Sequence, residues 1–331
     1  MRVYRSLEEV PQGFGPSIAA IGNFDGVHRG HQAIIGRVIA RAREQHAQSI
    51  AVIFDPHPVR VLRPEHAPRL ITPLPVRLQL LAATGLDATL VLPFTSDFAR
   101  LSAQDFAEKI LAQGIGATEV HEGDNFRFGF QAKAGVPELT VLGDQLGFKV
   151  LAHPVLSVRG LAASSSQVRE CIAAGDMTAA RALLGRPFFI RSTPASGRGI
   201  GSQLTVPTIN LAPYSELLPG HGVYITRILV GRECFDAVTN SGNRPTFGED
   251  SFAVESHLLD FHPIELTSET PIELTFLRRI RAERRFDSPA ALREQIMRDV
   301  QFARKYFARL RAIENRAGST AAAALHTSTS L

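Results

Sequence analysis

An apolar run, a glycine-bearing turn and an amphipathic stretch follow one another in AAIGNFDGVHRGHQAII, residues 19–35. A strand–turn–helix of this kind belongs in a sheet whose strands are joined by helical crossovers. Gly22 and Gly26 permit a tight turn, and the helix that follows aims its first N–H groups back at it. That arrangement favours anions, phosphates above all. His28 and His31 stand at or just before the helix N-terminus and face the same ligand, where imidazole donors stabilise charge that develops during transfer. A helix cap with two surface histidines is the plainer reading, but the pair on such a unit favours phosphate chemistry.

The rest of the first half repeats the theme. SIAAI (17–21), IAVIF (50–54), ATLVL (88–92), ATEVH (117–121) and FKVLA (148–152) read as buried strands, with helical patterns near 31–46, 75–84 and 102–113. The expected fold is a Rossmann-like, doubly wound parallel sheet that binds ligands at the carboxyl ends of its strands. SSSQVRECIAAGDMTAARALLG adds two short helices that close a domain of residues 1–186. From Pro187 the texture changes to β-like runs at 222–230, 234–240, 253–261 and 271–280, separated by Gly, Pro and Asn turns. These predict an antiparallel β-barrel over 187–312. A closing helix starts at Ser288-Pro289, with the apolar stripe Leu292, Ile296, Val300, Ala303, Phe307, Leu310 packed on the barrel. Residues 313–331 have little to bury and read as a disordered tail.

Composition narrows the class. Of the 331 residues, 44% are apolar and 21% charged, normal for a globular protein with real cores. Two cysteines, Cys171 and Cys234, make no disulfide framework and lack metal-ligand spacing, so a cytoplasmic protein is expected. No signal peptide or membrane span is legible. Phe276–Arg316 carries 12 Arg/Lys against 5 Asp/Glu. Nucleic acid is one reading of that excess; a solvated helix face is the commoner one. The chain has no Trp and 4 Tyr, and the basic helix spends its aromatics on the apolar stripe, which argues against a nucleic-acid binder.

GNFDGVHRGH resembles the HxGH signature of nucleotidyltransferases, in the G-x-FDG-x-H-x-GH form typical of bacterial FAD synthetases, the bifunctional riboflavin kinase/FMN adenylyltransferases. FDPHP (54–58), GDNFRFG (123–129) and SSSQVR (164–169) are similar to that family's next motifs, and VPTIN (206–210), NRPTF (243–247) and VESHLLDF (254–261) continue the match. Seven motifs in order cover roughly residues 15–310. The resemblance implies attack of the FMN phosphate on the α-phosphorus of ATP, a reaction needing alignment and positive charge more than a base. It implies ATP contacts from Gly22, Phe24, Asp25, Gly26, His28, His31, Ser164, Ser165, Ser166 and Arg169, with His28 and His31 catalytic. Asp25 is as readily an Asx-type turn brace. Pro56, His57, Pro58 and Asn125 would line the flavin side.

For the second half, the sequence lacks the G-x-x-x-x-G-K-[ST] loop. Gly197, Gly199 and Gly201 could let backbone approach the phosphates of ATP, and Thr208 and Asn210, two apart on an extended chain, offer hard oxygens to Mg²⁺. The resemblance makes Thr208 and Asn210 the metal pair of a riboflavin kinase and Glu255 its catalytic carboxylate. His257 and Asp260 read as strand and turn residues, and Arg244 as a phosphate contact or a turn brace. The usual G-R-x-L-G-F-P-T-A-N is altered here by Ser202, Thr205, Val206 and Ile209, and Ala163 replaces a usual Ile in the first half. The alternatives are an adenylyltransferase with an impaired kinase half, or a nucleotidyltransferase acting on a non-flavin phosphate. Expected ligands are ATP, Mg²⁺, riboflavin, FMN and FAD, with no nucleic-acid or membrane partner and a monomer or weak homo-oligomer in solution.

Overall fold

The computed structural model describes residues 1–195, 207–243 and 252–327, and the chain forms two compact units. The first comprises Met1–Cys171, Ala179–Arg186 and Ser215–Leu217. Its frame is a six-stranded sheet of β1 (Arg2–Tyr4), β2 (Ser17–Ile21), β3 (Gln48–Asp55), β4 (Ala88–Pro93), β5 (Ala117–Gly123) and β6 (Lys149–His153). All pairings are parallel, in the order β1-β4-β3-β2-β5-β6. Both faces are covered, which is why the strands read as continuous apolar runs. In β2, Ile18 and Ala20 face one core with Ile35, Val38 and Ile53, while Ala19 and Ile21 face another with Val52, Leu90 and Leu111.

Helices α1 (Arg29–Glu44), α2 (Leu74–Ala82) and α3 (Val136–Leu146) supply crossovers. The helix expected at 102–113 starts as a turn at Ala103–Asp105 and widens to a π-helix over Phe106–Gly114, closed by an i→i+5 bond from Ile115 N–H to the Ile110 carbonyl. Two helices, α4 (Ser165–Ala173) and α5 (Met177–Leu184), follow the sheet. Strand order reverses between β2 and β5, so the crevice that doubly wound sheets use for ligands opens beside the end of β2.

A buried polar chain ties α1 to β5 and β6. Arg41 grips Glu119 through Nε and Nη2, both at 2.9 Å, and holds that carboxyl down to about 2. His121 Nε2 lies 2.7 Å from Glu119, His121 Nδ1 2.9 Å from His153 Nε2, and Arg37 Nη1 3.2 Å from His153 Nδ1. Burial lowers both imidazoles below their usual range. Neutral rings fit one tautomer each: Arg37 donates to His153, His153 to His121, and His121 to Glu119.

The second unit comprises Ile172–Thr178, Pro187–Tyr214 and Leu218–Leu331. Its sheet contains β7 (Phe188–Ser192), β8 (Thr208–Asn210), β9 (Gly222–Val230), β10 (Glu233–Asn243), β11 (Phe252–Leu258) and β12 (Ile272–Ala282). The order is β7-β12-β9-β10-β11-β8, all antiparallel. A bridge between Pro194 and Leu211, with Ala195 N–H on the Asn210 carbonyl and Ala212 N–H on that of Thr193, joins the two edges. Inside runs a hydroxyl ladder, Thr226 to Thr239 at 2.6 Å and Thr239 to Ser256 at 2.9 Å.

Helix α6 (Pro289–Thr327) is capped by Ser288, whose Oγ accepts the Ala291 N–H at 3.2 Å. Only part of the expected stripe packs on the sheet: Val300, Ala303, Phe307 and Leu310 meet Val223, Ile225, Val238 and Leu259. Leu292 and Ile296 are each 41% exposed. The helix runs through 313–327, where the sequence suggests no order; Ala321–Ala324 supply the strongest intrinsic helix former.

Glu122, near the carboxyl end of β5, is buried and accepts the Ile21 N–H at 2.5 Å. Burial pushes its carboxyl well above the usual range. A carboxyl whose folded value is raised favours the fold at low pH and loses that contribution as pH rises. Glu122→Gln is therefore expected to raise Tm at pH 8 by about 2 °C or more, a gain that shrinks towards pH 5. Thermal unfolding of both proteins across that range checks it.

Candidate active sites

The turn after β2 is held mainly through Asp25. Its buried carboxylate accepts the N–H groups of Ile71 at 3.0 Å and Thr72 at 2.9 Å, the Thr72 hydroxyl at 3.1 Å, and Arg169 Nη2 at 2.6 Å. Gly26, at φ +83°, donates to Thr72 Oγ1, and its carbonyl accepts from Arg186 Nη2 at 2.7 Å. His28 then caps α1, accepting the His31 N–H on Nδ1 at 3.3 Å. That bond places the proton of a neutral His28 on Nε2, which leaves a donor. The two imidazoles stack with centroids 3.6 Å apart. Burial takes His28 down to about 4 against the pull of Asp25, and holds His31 well below its usual range, helped by His28 and Arg77. Both rings are neutral donors at pH 7.

Gly30, between the histidines, has a steric reason to be glycine. An added Cβ would lie 2.7 Å from the Ala163 carbonyl and 3.1 Å from the His28 ring. Just beyond, Ser164 Oγ accepts the Gln167 N–H at 3.2 Å at the start of α4, and Ser165 Oγ donates to the Asp25 carbonyl at 2.9 Å. Ser166 is exposed.

Beside this turn lies a cavity of about 1170 Å³ lined by Gly22, Asn23, Pro58, Asn125 and seven phenylalanines, 54, 94, 98, 106, 126, 128 and 130. Phe54, Phe94 and Phe98 contact one another at tilted or edge-on angles with centroids 5.6–5.9 Å apart. It is an apolar slot suited to a flat ring system.

The second unit has a cavity of about 1350 Å³. Cross-strand register builds its wall: Asn210 pairs with Glu255, Thr208 with His257, and Glu255 in turn with Asn240 of β10. Side chains alternate along β11, so Glu255 and His257 share this face while Ser256 points to the buried hydroxyl ladder. Thr208, Asn240, Glu255 and His257 all line the cavity, as do Leu292 and Ile296, the exposed start of the α6 stripe. Arg281 and Arg284 lie 5.5 and 4.9 Å from the ring of Phe286, which fixes the rim. Thr208 and Asn210, on one edge beside a carboxylate, present the hard oxygen donors that suit Mg²⁺.

Residues 11–167 match the family described as FAD synthetase and residues 184–307 the one described as riboflavin kinase. A bifunctional riboflavin kinase/FMN adenylyltransferase from Pseudomonas fluorescens is 37% identical, the match covering 92% of this chain and 97% of that one. The chain belongs to the bifunctional FAD synthetase family. The Escherichia coli K12 relative of the same description is 32% identical, with 93% and 97% covered, and that of Bacillus subtilis 33%, with 89% and 94%. A crystal structure described as a macrolide-efflux protein from Streptococcus pneumoniae has a TM-score of 0.78 at 26% identity, covering 92% of this chain and 98% of that one.

In this FAD synthetase chain most residues singled out from sequence converge, with some changes of part. Asp25 ties segments together and is neither a simple Asx turn nor free to meet a nucleotide, since both its oxygens are engaged. Arg169 is paired with Asp25 and also donates to the Arg69 carbonyl. Phe24 is buried in the core, its ring edge-on to His31 at 5.0 Å. Pro58 and Asn125 line the aromatic cavity. Pro56 is exposed, and His57 turns Nδ1 back to accept the Val59 N–H. Asp260 sits in a turn paired with Arg304 at 2.7 Å, whereas His257 joins the cavity wall. Ile209 is a core residue, buried on the face opposite Thr208 and Asn210. Gly197, Gly199, Gly201, Ser202, Thr205, Val206 and Arg244 lie outside the described residues. The phenylalanines, Gly30 and Arg186 take parts that the sequence leaves unassigned: the phenylalanine-rich NFRFGF hints at the first, Gly30 stands in the HRGH signature without a role of its own, and nothing marks Arg186.

Gly30→Ala is expected to displace His28 and cut FAD formation from FMN roughly 100-fold while leaving FMN formation from riboflavin unchanged. Parallel steady-state assays of the two reactions check it.

Proposed function

We infer that the protein makes FAD in two ATP-dependent steps: phosphorylation of riboflavin to FMN, then transfer of AMP from ATP to FMN with release of pyrophosphate. The carrying observation is the pairing of chemistries. One unit sets neutral imidazole donors at a helix N-terminus beside a phenylalanine-lined slot; the other sets Thr208, Asn210 and Glu255 on two paired strands. We assign adenylyl transfer to residues 1–186 and the kinase to 187–312.

The two reactions need different help. The FMN phosphate has a second pKa of about 6 and is largely dianionic at pH 7, so it attacks without a base. His28 Nε2–H and His31 then donate to the phosphates of ATP and stabilise the charge that builds up as pyrophosphate leaves. Ser164, Ser165, Ser166 and Arg169 hold the outer phosphates, Arg169 sharing its guanidinium with Asp25. Asn125 and Pro58 orient the flavin, and Gly22 and Gly26 shape the turn. In the kinase step the nucleophile is a ribityl hydroxyl, neutral at pH 7, and Glu255 takes its proton. Thr208 and Asn210 hold Mg²⁺, which when bound offsets phosphate charge and orients the triphosphate. The glycines Gly197, Gly199 and Gly201 give backbone contacts to ATP.

Several arginines of the basic stretch are occupied: Arg281 with Asp299, Arg298 with Glu294, Arg304 with Asp260 and Arg311 with Asp236. That supports a solvated helix over a nucleic-acid surface. Among the described residues no helix is long and apolar enough to cross a membrane, and Cys171 and Cys234 form no disulfide. Both fit a cytoplasmic enzyme.

Incubation with riboflavin, ATP and Mg²⁺, with flavins resolved by chromatography, is expected to give FMN and then FAD. Glu255→Gln is expected to abolish FMN formation while leaving FAD formation from FMN, and His28→Ala to do the reverse. Loss of both activities in either folded variant contradicts the division. The acid limb of FAD formation is expected near pH 6, where the FMN phosphate gains its second proton, well above the His28 value of about 4. A limb that tracks His28 instead contradicts the assignment of the attacking phosphate as the titrating group.

A further inference from the structure

One buried cation near the first site is left unused by the roles above. Arg77, on α2, has a relative exposure of 0%. Its Nη1 donates to the Asn23 carbonyl at 2.8 Å, in the turn after β2. Nε and Nη2 are buried, and among the described residues neither has a partner and no carboxylate forms a salt bridge with Arg77. Those two nitrogens form one edge of the guanidinium, with parallel N–H groups that match the spacing of two oxygens on a phosphate or carboxylate. Burying a guanidinium with that edge unmade is costly, and a structure that only needed to support Asn23 would not require a charge there.

Its surroundings point to the ligand. Asn23 and Gly22 line the phenylalanine cavity. Burial is the main reason that His31 and His57 resist protonation, and the Arg77 charge adds to it at both, so Arg77 is near the HRGH and the FDPHP segments. Asp25, one of the carboxylates whose field it feels, has both oxygens engaged elsewhere. Asn23 Oδ1, on the residue whose carbonyl accepts from Nη1, also lacks a partner among the described residues. A ligand entering there breaks no described side-chain hydrogen bond of Asn23 or of that edge.

We propose that Arg77 is a further substrate-binding residue of the adenylyl-transfer site, its Nε–Nη2 edge taking two oxygens of a substrate phosphate. The proposal rests on placing adenylyl transfer in this unit. The phosphate comes either from FMN or from the triphosphate of ATP, and kinetics separate the two.

The test uses the full chain with Arg77→Met and Arg77→Lys, following FAD formation from FMN and ATP, FMN formation from riboflavin, and Tm. Arg77→Met is expected to lower kcat/KM for FAD formation about 100-fold, to leave FMN formation intact, and to keep or raise Tm because an unpaired buried charge is removed. Arg77→Lys, with the charge but not the fork, is expected to recover part of the loss. A rise in KM for FMN assigns the flavin phosphate, a rise in KM for ATP the triphosphate. Unchanged kcat/KM overturns the proposal, as does a loss that comes with a fall in Tm and no recovery in Arg77→Lys, the pattern of a structural support. Failure of the unaltered protein to make FAD from FMN would instead remove the reading of the site on which the proposal stands.

Discussion

Asp25 is the point from which the first site is organised. Four hydrogen bonds converge on its buried carboxylate, from Ile71, from the backbone and hydroxyl of Thr72, and from Arg169, joining segments 46, 47 and 144 residues apart. One ion thereby fixes the glycine turn, the segment leading into α2 and the second turn of α4. Because that carboxylate is buried, the Arg169 charge beside it is needed, and loss of either partner would leave the other uncompensated. The site proposed for the phosphates is thus assembled around a pair that must exist before any substrate binds, and Gly30 allows α1 to come up against the backbone at Ala163 only because it lacks a side chain.

How much of this could be read in advance depends on how local the cause is. The strands of the first sheet were legible because burial on both faces writes continuous apolar runs, and the strand–turn–helix at 17–44 carries its own punctuation. Strand β1 was not, being three residues whose pairing with β4 is the cause of its structure. The π-helix at Phe106–Gly114 was readable as a helix but not as a wide one, since the pattern of apolar residues is similar for both. Arg77 hides for the opposite reason: in LPVRLQLLA a lone arginine reads as a polar face, and only tertiary packing reveals that it points inward.

The second unit shows the same division. Glu255 is legible through its motif, whereas its neighbour His257 reads only as a strand residue. It is that and a cavity wall as well, because strand alternation puts positions 255 and 257 on one face and 256 on the other. Cross-strand register, which no single segment encodes, then sets Thr208 opposite His257 and Asn210 opposite Glu255. Similarly, the apolar stripe of α6 is continuous in sequence but serves two ends: Val300 to Leu310 pack on the sheet, while Leu292 and Ile296 form a cavity wall.

The phenylalanine slot has an optical consequence. None of the described residues lining it is a tyrosine, and the chain has no tryptophan. Indole and phenol rings give up an electron readily to a photoexcited isoalloxazine and darken it; a benzyl ring does not. An FMN held in this slot would keep its green emission, whereas joining it to an adenine that can stack on it would dim it. The enzyme's own choice of side chains would make its second product report itself.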